Sequence, residues 1–495
     1  MIQKFSLFVL ALVISLAAFA QDKKAIKISK TITKEDLYAR LEVLTSDSLE
    51  GRETATEGQR MAAAFIAAQF KQYGLVPIVF EAQSMSYFQR FPLQKSQWTD
   101  VYVKAGATKL ENGTDLLYFG AASTSNEVTA EVVFIGDLAQ ASGIVKNGAF
   151  KNKIVAVRSQ DSRSWTSIRR QFAEADVRGL LVFGGESDGQ FKTVVGRYKN
   201  YITASRLSLS SEGDSSNEGP FVFIVSPDAA KGVFGRSIEE LMASASGAEQ
   251  PMASISFKAE RTTEEVITEN VLGFLEGTDK KDEVLVVTAH YDHLGKRDDV
   301  IYHGADDDGS GTSAVLEIAQ AFSEAKRKGN GPRRSILFMT VTGEEKGLLG
   351  SEYYTDHPVL PLSKTVANLN IDMIGRVDDA HLDNENYIYV IGSDKLSQDL
   401  HQLSEKVNKD YTNLALDYTY NDENDPNRFY YRSDHYNFAK NNVPIIFYFN
   451  GVHADYHRPT DTIEKIAFDK MTAITKLVFF TAWEVANREE RIKLD

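Results

Sequence analysis

Cysteine is absent from all 495 residues. That excludes disulfides, thiolate zinc sites, iron–sulfur clusters and cysteine nucleophiles together. Histidine is missing from the first part of the chain. All nine histidines lie at or beyond His290, so imidazole chemistry belongs to the last two-fifths. Positive charge is in deficit: Lys plus Arg is 55 against 69 for Asp plus Glu, a formal net charge of −14. An acidic chain without a long basic run cannot neutralise a phosphate backbone, so no nucleic-acid partner is expected. Internal repeats and low-complexity tracts are lacking too. What is present is ordinary globular composition, 43% hydrophobic and 25% charged. At roughly 150 residues per domain the length suggests about two to four domains.

Residues 1–20 combine Lys4, an apolar run from Phe5 to Phe19, and small residues at Ala18 and Ala20. This is a secretory signal pattern with cleavage after Ala20. The run is short for a bilayer span, which takes about 20 residues. No Cys follows for lipid attachment. Export to the periplasm or the extracellular space is expected, with no stable membrane insertion after cleavage. A helix is expected over Lys34 to Leu44. A second follows the capping box Thr54-Ala55-Thr56-Glu57, with Met61, Phe65, Ala68 and Gln72 at helical spacing and Gly74 as its stop. From about Leu116 to Glu260 short β-rich runs and few helices read as a small β-rich insert. From Glu264 onward strands alternate with helices: Val284–Thr288, Ile336–Val341, Val366–Ile371 and Ile445–Phe449 are the strands. The expected class is α/β, a mostly parallel buried sheet flanked by helices.

Ligands of open α/β sheets sit at the carboxyl ends of the strands, and here those ends are polar. The first strand runs into Ala289-His290-Tyr291-Asp292-His293, the second into Gly343-Glu344-Glu345, the third into Asp372. The fourth is followed by His453 and by Tyr456-His457. Gly304-Ala305-Asp306-Asp307-Asp308-Gly309-Ser310-Gly311 lies between the first two. Carboxylates clustered in a dry crevice repel one another strongly unless a divalent cation joins them. A His/Asp/Glu set without sulfur suits zinc, with manganese or cobalt as alternatives. Five ligands around one central Asp suit two metals about 3.5–4 Å apart. Glu345 as ligand and Glu344 as base is then a sensible division of the Glu pair.

Six segments carry a family resemblance: AHYDH at 289–293, GADDDGSG at 304–311, TGEEKGLLGS at 342–351, NIDMIG at 370–375, RSDH at 432–435 and YHRPTDT at 456–462. In this order they resemble the co-catalytic di-zinc aminopeptidases, metallopeptidase family twenty-eight. LTSDSLEGRETATEG at 44–58 resembles the entry of secreted members. The resemblance covers about 20–112 and 263–490. It implies a peptidase domain over 21–112 and 263–495 and a protease-associated-like insert over 113–262. It implies two Zn2+ ions, His290 and Asp372 on one, Glu345 and His457 on the other, and Asp307 bridging them. Asp292 would orient His290, Glu344 would be the general base, and Tyr456 the oxyanion donor. Arg432 and Asp434 would line the site. The implied activity is release of N-terminal residues from peptides through a metal-bridging hydroxide, with a same-fold carboxypeptidase or glutaminyl cyclase as the alternative.

Asp306 and Asp308 read as turn residues, and His293, His303, His435 and His453 as non-ligands. An EF-hand-like spacing from Asp306 to Glu317 is set aside because no helix precedes it. Gly185-Glu186-Ser187-Asp188-Gly189 matches a serine-nucleophile turn, but the residues after it are expected not to be helical, which makes a serine hydrolase the weaker reading.

Overall fold

The computed structural model describes residues 21–144, 150–172, 175–209, 219–244 and 252–495. The expected signal segment 1–20 lies outside the described residues. The chain forms two compact units, one of Met1–Pro92 with Ile267–Asp495, the other of Leu93–Val266.

In the first unit the sheet order is Ala415–Asp417, Tyr387–Ile391, Ile445–Phe449, Thr365–Ile371, Lys280–His290, Arg334–Val341, then the end of Met252–Leu275. The four strands from Ile445–Phe449 to Arg334–Val341 are mutually parallel. All four are apolar because both faces are buried, by clusters that include Leu285, Val287, Ile336 and Phe338 on one side and Val284, Val286, Leu337 and Met339 on the other. Register aligns the strand ends: His290 pairs with Val341, Thr288 with Asn370, and Asn370 with Phe447. His290, Thr342 and Asp372 therefore emerge at one level. Tyr387–Ile391, antiparallel to Ile445–Phe449, was not expected. A five-residue apolar run is ambiguous between strand and buried helical turn.

The helix Gly311–Arg327 carries Val315, Leu316, Ile318, Ala319 and Phe322 into the core. Phe322 stacks on Trp483 of the helix Phe468–Asn487. Full burial of one such ring stabilises by about 1.5–3 kcal/mol. The helices Lys34–Leu44 and Glu57–Tyr73 stand where the sequence places them. The second is capped two residues later than expected, by Thr56 rather than Thr54. The Thr56 hydroxyl accepts from Gln59 N, and Gly74 ends the helix at φ 84°. Thr54 is thereby released, and its hydroxyl donates to Asp292 at 2.7 Å.

The second unit is strand-dense, with Thr124–Asp137, Ile154–Ser159, Gly179–Gly184 and Phe221–Val225 parallel in that order. It begins before residue 113, because Phe88–Ala105 pairs with Thr108–Glu111 and Arg206–Leu209. It also carries more helix than expected. Asp188–Thr203 is a 16-residue helix buried through Phe191, Val194, Val195 and Ile202. That corrects the sequence reading of the residues after Gly189. Ser187 is this helix's N-cap, with ordinary extended φ/ψ and its hydroxyl accepting from Gln190 N. No helix among the described residues is long and apolar enough to cross a membrane.

Candidate metal centre

Three consecutive aspartates leave the register of the Asp-rich loop open in the sequence, and the backbone assigns each a separate task. Asp308 accepts hydrogen bonds from His290 N, Gly311 N and Met373 N, tying together the ends of two strands and the start of a helix. Asp306 accepts from Gly375 N at 2.6 Å and lies 3.2 Å from His453 Nε2. Asp307 turns the other way. Its Oδ1 is 3.3 Å from His290 Nε2, and its Oδ2 is 3.2 Å from His457 Nε2. The peptide between Asp307 and Asp308 is cis. Glu317, the twelfth residue of the calcium-like spacing, is instead paired with Arg40 at 2.9 Å inside the helix.

Around Asp307 the structure brings the expected set together. His290 Nε2 is 3.6 Å from Asp372 Oδ1 and 3.9 Å from Glu344 Oε2. His457 Nε2 is 3.2 Å from Glu345 Oε2. His290, Asp307 and Asp372 form one group able to hold a cation, and His293, Asp307 and Glu345 another. His457 is 38% exposed and forms the open side of the centre. It holds a positive φ of 56°, a left-handed conformation costing an L-residue roughly 1–2 kcal/mol. Tyr456 stacks on it at 3.9 Å and receives Arg432 Nη2 at 3.3 Å on its hydroxyl oxygen.

The supporting residues differ from expectation in one respect. His290 Nδ1 meets the backbone carbonyl of Asp292 at 3.1 Å, while the Asp292 carboxylate is 3.7 Å away. That carboxylate accepts from Glu344 N and the Thr54 hydroxyl, so it holds the Glu-Glu loop in place. Asp434 is buried and accepts from the Ser351 hydroxyl at 2.5 Å.

Four residues that sequence reasoning passed over also build the centre. Asp461 accepts from Asp306 N and Asp307 N, and was legible only as part of the 456–462 segment. Arg52, fully buried, donates to the carbonyls of Tyr291, Leu44, His303 and Gly304. Burial lowers its pKa to about 10. Glu53 accepts from Lys346, the residue after the Glu pair, at 2.8 Å. His293, read from sequence as a non-ligand, has Nδ1 2.9 Å from Glu345 Oε1. The tandem His-x-x-His at 290–293 was the available signal.

The protonation balance points to missing positive charge. Burial opposes a charge on His290, yet the carboxylates of Glu344 and Asp372 outweigh it and hold the imidazole well above its ordinary pKa. Burial likewise opposes ionisation of Asp307, but His290, His293 and His457 keep its carboxyl well below the usual range. His457 is pushed up to about 10, against burial, by Asp307 and Glu345. Burial raises Asp434 to about 7 and moves Glu344 well above the ordinary carboxyl value. Burial, with Asp307 and Glu345, raises the Tyr456 phenol, so it remains a donor. His290 Nε2, both ring nitrogens of His293, Asp307 Oδ2 and Glu345 Oε1 are buried and make no hydrogen bond. Native interiors rarely leave such atoms unpaired, and a bound cation is one of the standard explanations. The donor set therefore fits a divalent metal.

The sequence model of Peptidase family M28 matches residues 270–482. Over these residues the chain is similar to Peptidase family M28. Aminopeptidase YwaD of Bacillus subtilis (strain 168) is 28% identical over 238 residues, covering 46% of each chain. The chain spans about half the length of the curated relatives it matches. Among solved structures, the aminopeptidase from Aneurinibacillus sp. strain AM-1 superposes with a TM-score of 0.59 at 20% identity, covering 95% of this chain and 98% of that one. BSAP, a zinc aminopeptidase from Bacillus subtilis, gives 0.54 at 18% identity, covering 93% and 96%. At these identities the superpositions establish the fold: a mostly parallel α/β sheet flanked by helices.

Proposed function

We propose that the chain is an exported zinc-dependent aminopeptidase whose centre holds two cations, one on His290, Asp307 and Asp372 and one on Asp307, Glu345 and His457. One observation carries the reading: the two oxygens of Asp307 face different imidazoles at 3.3 and 3.2 Å. Zinc bonds of about 2.0–2.1 Å in a tetrahedron put neighbouring ligand atoms about 3.3 Å apart, so each oxygen sits one tetrahedral edge from its imidazole. Relatives of the matched segment named as aminopeptidases support the activity. The pattern of residues 1–20 supports export, and the position in sequence of the compact unit Leu93–Val266, between the two parts of the other unit, supports a protease-associated-like insert.

When bound, such cations polarise a scissile carbonyl and make a water acidic near neutral pH. The remaining work falls to the chain. Glu344, beside His290, takes the proton from the attacking water on a carboxylate oxygen and returns it to the leaving amine. The Tyr456 hydroxyl donates to the oxygen on which negative charge develops. Arg432 fixes the phenol from outside. Asp372, Asp434 and Glu344 supply the negative field that a peptide's free ammonium requires.

The test is a panel of free and N-acetylated aminoacyl amides, assayed after chelation and again after zinc is restored. Hydrolysis of the free amides alone, lost on chelation and regained with zinc, is expected. Cleavage of acetylated peptides or pyroglutamate formation would replace the aminopeptidase reading with the carboxypeptidase or cyclase one. Activity indifferent to chelation would overturn both.

A further inference from the structure

We propose that His293 is a further ligand of the cation held by Asp307, Glu345 and His457, giving that position two imidazoles; this rests on the two-cation reading above. The His293 side chain has no solvent exposure. Its Nδ1 stands 2.9 Å from Glu345 Oε1 and 3.8 Å from Asp307 Oδ2. These atoms lie close enough together to share one ion. Despite the short contact, neither Nδ1 nor Glu345 Oε1 has a partner in hydrogen-bond geometry, and Nε2 has none either. Two atoms 2.9 Å apart that do not point at each other are arranged as ligands converging on a third. A ring nitrogen left buried and unpaired is unfavourable, and a shared cation removes that penalty at Nδ1.

Three restraints orient the ring. His293 N donates to Arg52 O at 3.2 Å. Arg52 in turn donates to the carbonyls of Tyr291 and Gly304. Gly304, at φ 57°, carries no Cβ; one would lie 2.5 Å from His293 Cγ. The ring is thus pressed against bare backbone with Nδ1 toward Glu345. A position with two imidazoles favours borderline cations over oxygen-seeking ones. Cobalt or zinc is therefore retained there more tightly than on the His290 side.

Direct ligation is separable from a supporting hydrogen bond because the chain has no cysteine of its own. In the full-length cobalt-loaded protein, His293→Cys is expected to develop a thiolate-to-cobalt charge-transfer band that wild type and Ser187→Cys lack. His293→Gln is expected to weaken retention of one cation, in chelator competition, by more than about 100-fold. Loss of a merely supporting partner costs about 10- to 100-fold. A His293→Cys protein that binds cobalt without the band, or a His293→Gln loss within the smaller range, overturns the inference alone. Should His293→Cys fail to fold by circular dichroism, the His293→Gln affinity decides. A wild type that takes up no cobalt overturns the two-cation reading along with it.

Discussion

The two compact units share a design and differ in what stands at their strand ends. Each has four parallel strands with helical connections. In Leu93–Val266 the titratable groups with shifted pKa are surface pairs such as Lys104 with Glu127 and Arg163 with Asp161. Its described residues contain no buried side-chain nitrogen or oxygen lacking a hydrogen bond. In the other unit such atoms occur at many residues, five of them on His290, His293, Asp307 and Glu345. A parallel sheet offers a crevice at its strand ends wherever it occurs. Chemistry follows only where charged groups are buried there with their partners withheld.

Four substitutions can break or sharpen this contrast. The largest effect belongs to Glu344→Gln. Its kcat should fall by about 10²–10⁴-fold, as for loss of a general base, while zinc content stays at the wild-type level. Retained turnover would remove Glu344 from the chemistry. Arg52→Met leaves four carbonyls without their buried donor. It should destabilise the full chain by about 3–5 kcal/mol in denaturant unfolding. A change below about 1 kcal/mol would show that the Arg52 bonds do not hold the loops around the centre.

The third is a pH effect. His435 is buried, donates from Nε2 to Tyr430 O, and stacks on Phe447; burial lowers its pKa from 6.5 to about 3. Above pH 6.5 both folded and unfolded states hold it neutral. As pH falls toward 3, only the unfolded state takes the proton, so stability drops by about 1.4 kcal/mol per pH unit. His435→Phe should flatten the acid side of the stability profile by that slope, and an unchanged slope would contradict the burial argument. The smallest effect is Ser187→Ala in the other unit. It should cost about 1 kcal/mol through the lost helix cap and leave turnover unchanged. A fall in turnover would mean that the second unit carries chemistry after all.

Much of this was legible in the sequence because the unit of Met1–Pro92 with Ile267–Asp495 is regular where it matters. Strands buried on both faces read as unbroken apolar runs, so the sites of His290, the Glu pair and Asp372 at strand ends followed. The helices Lys34–Leu44 and Glu57–Tyr73 were announced by their periodicity and stop signal. What stayed hidden depends on contacts distant in sequence. Nothing local to Thr54 or Arg52 says that they reach residues more than two hundred positions away. The division of labour among Asp306, Asp307 and Asp308 depends on which backbone amides arrive from Gly375, Met373 and His290. His293 reads as a non-ligand in the sequence although it stands three residues after His290; burial of both ring nitrogens without a hydrogen bond is what singles it out. The helix Asp188–Thr203 was missed because Gly189, Thr193 and Gly196 dilute its pattern, although Phe191, Val194, Val195 and Ile202 keep helical spacing.

In the proposed function Asp307 joins two cations. The most direct test is elemental analysis of full-length protein, supplied with zinc and freed of loosely bound metal, for wild type beside Asp307→Ala. About two zinc ions per wild-type chain, and less than about one in the variant, is the expected result. A wild type without zinc, or a variant that keeps the wild-type content, would contradict it.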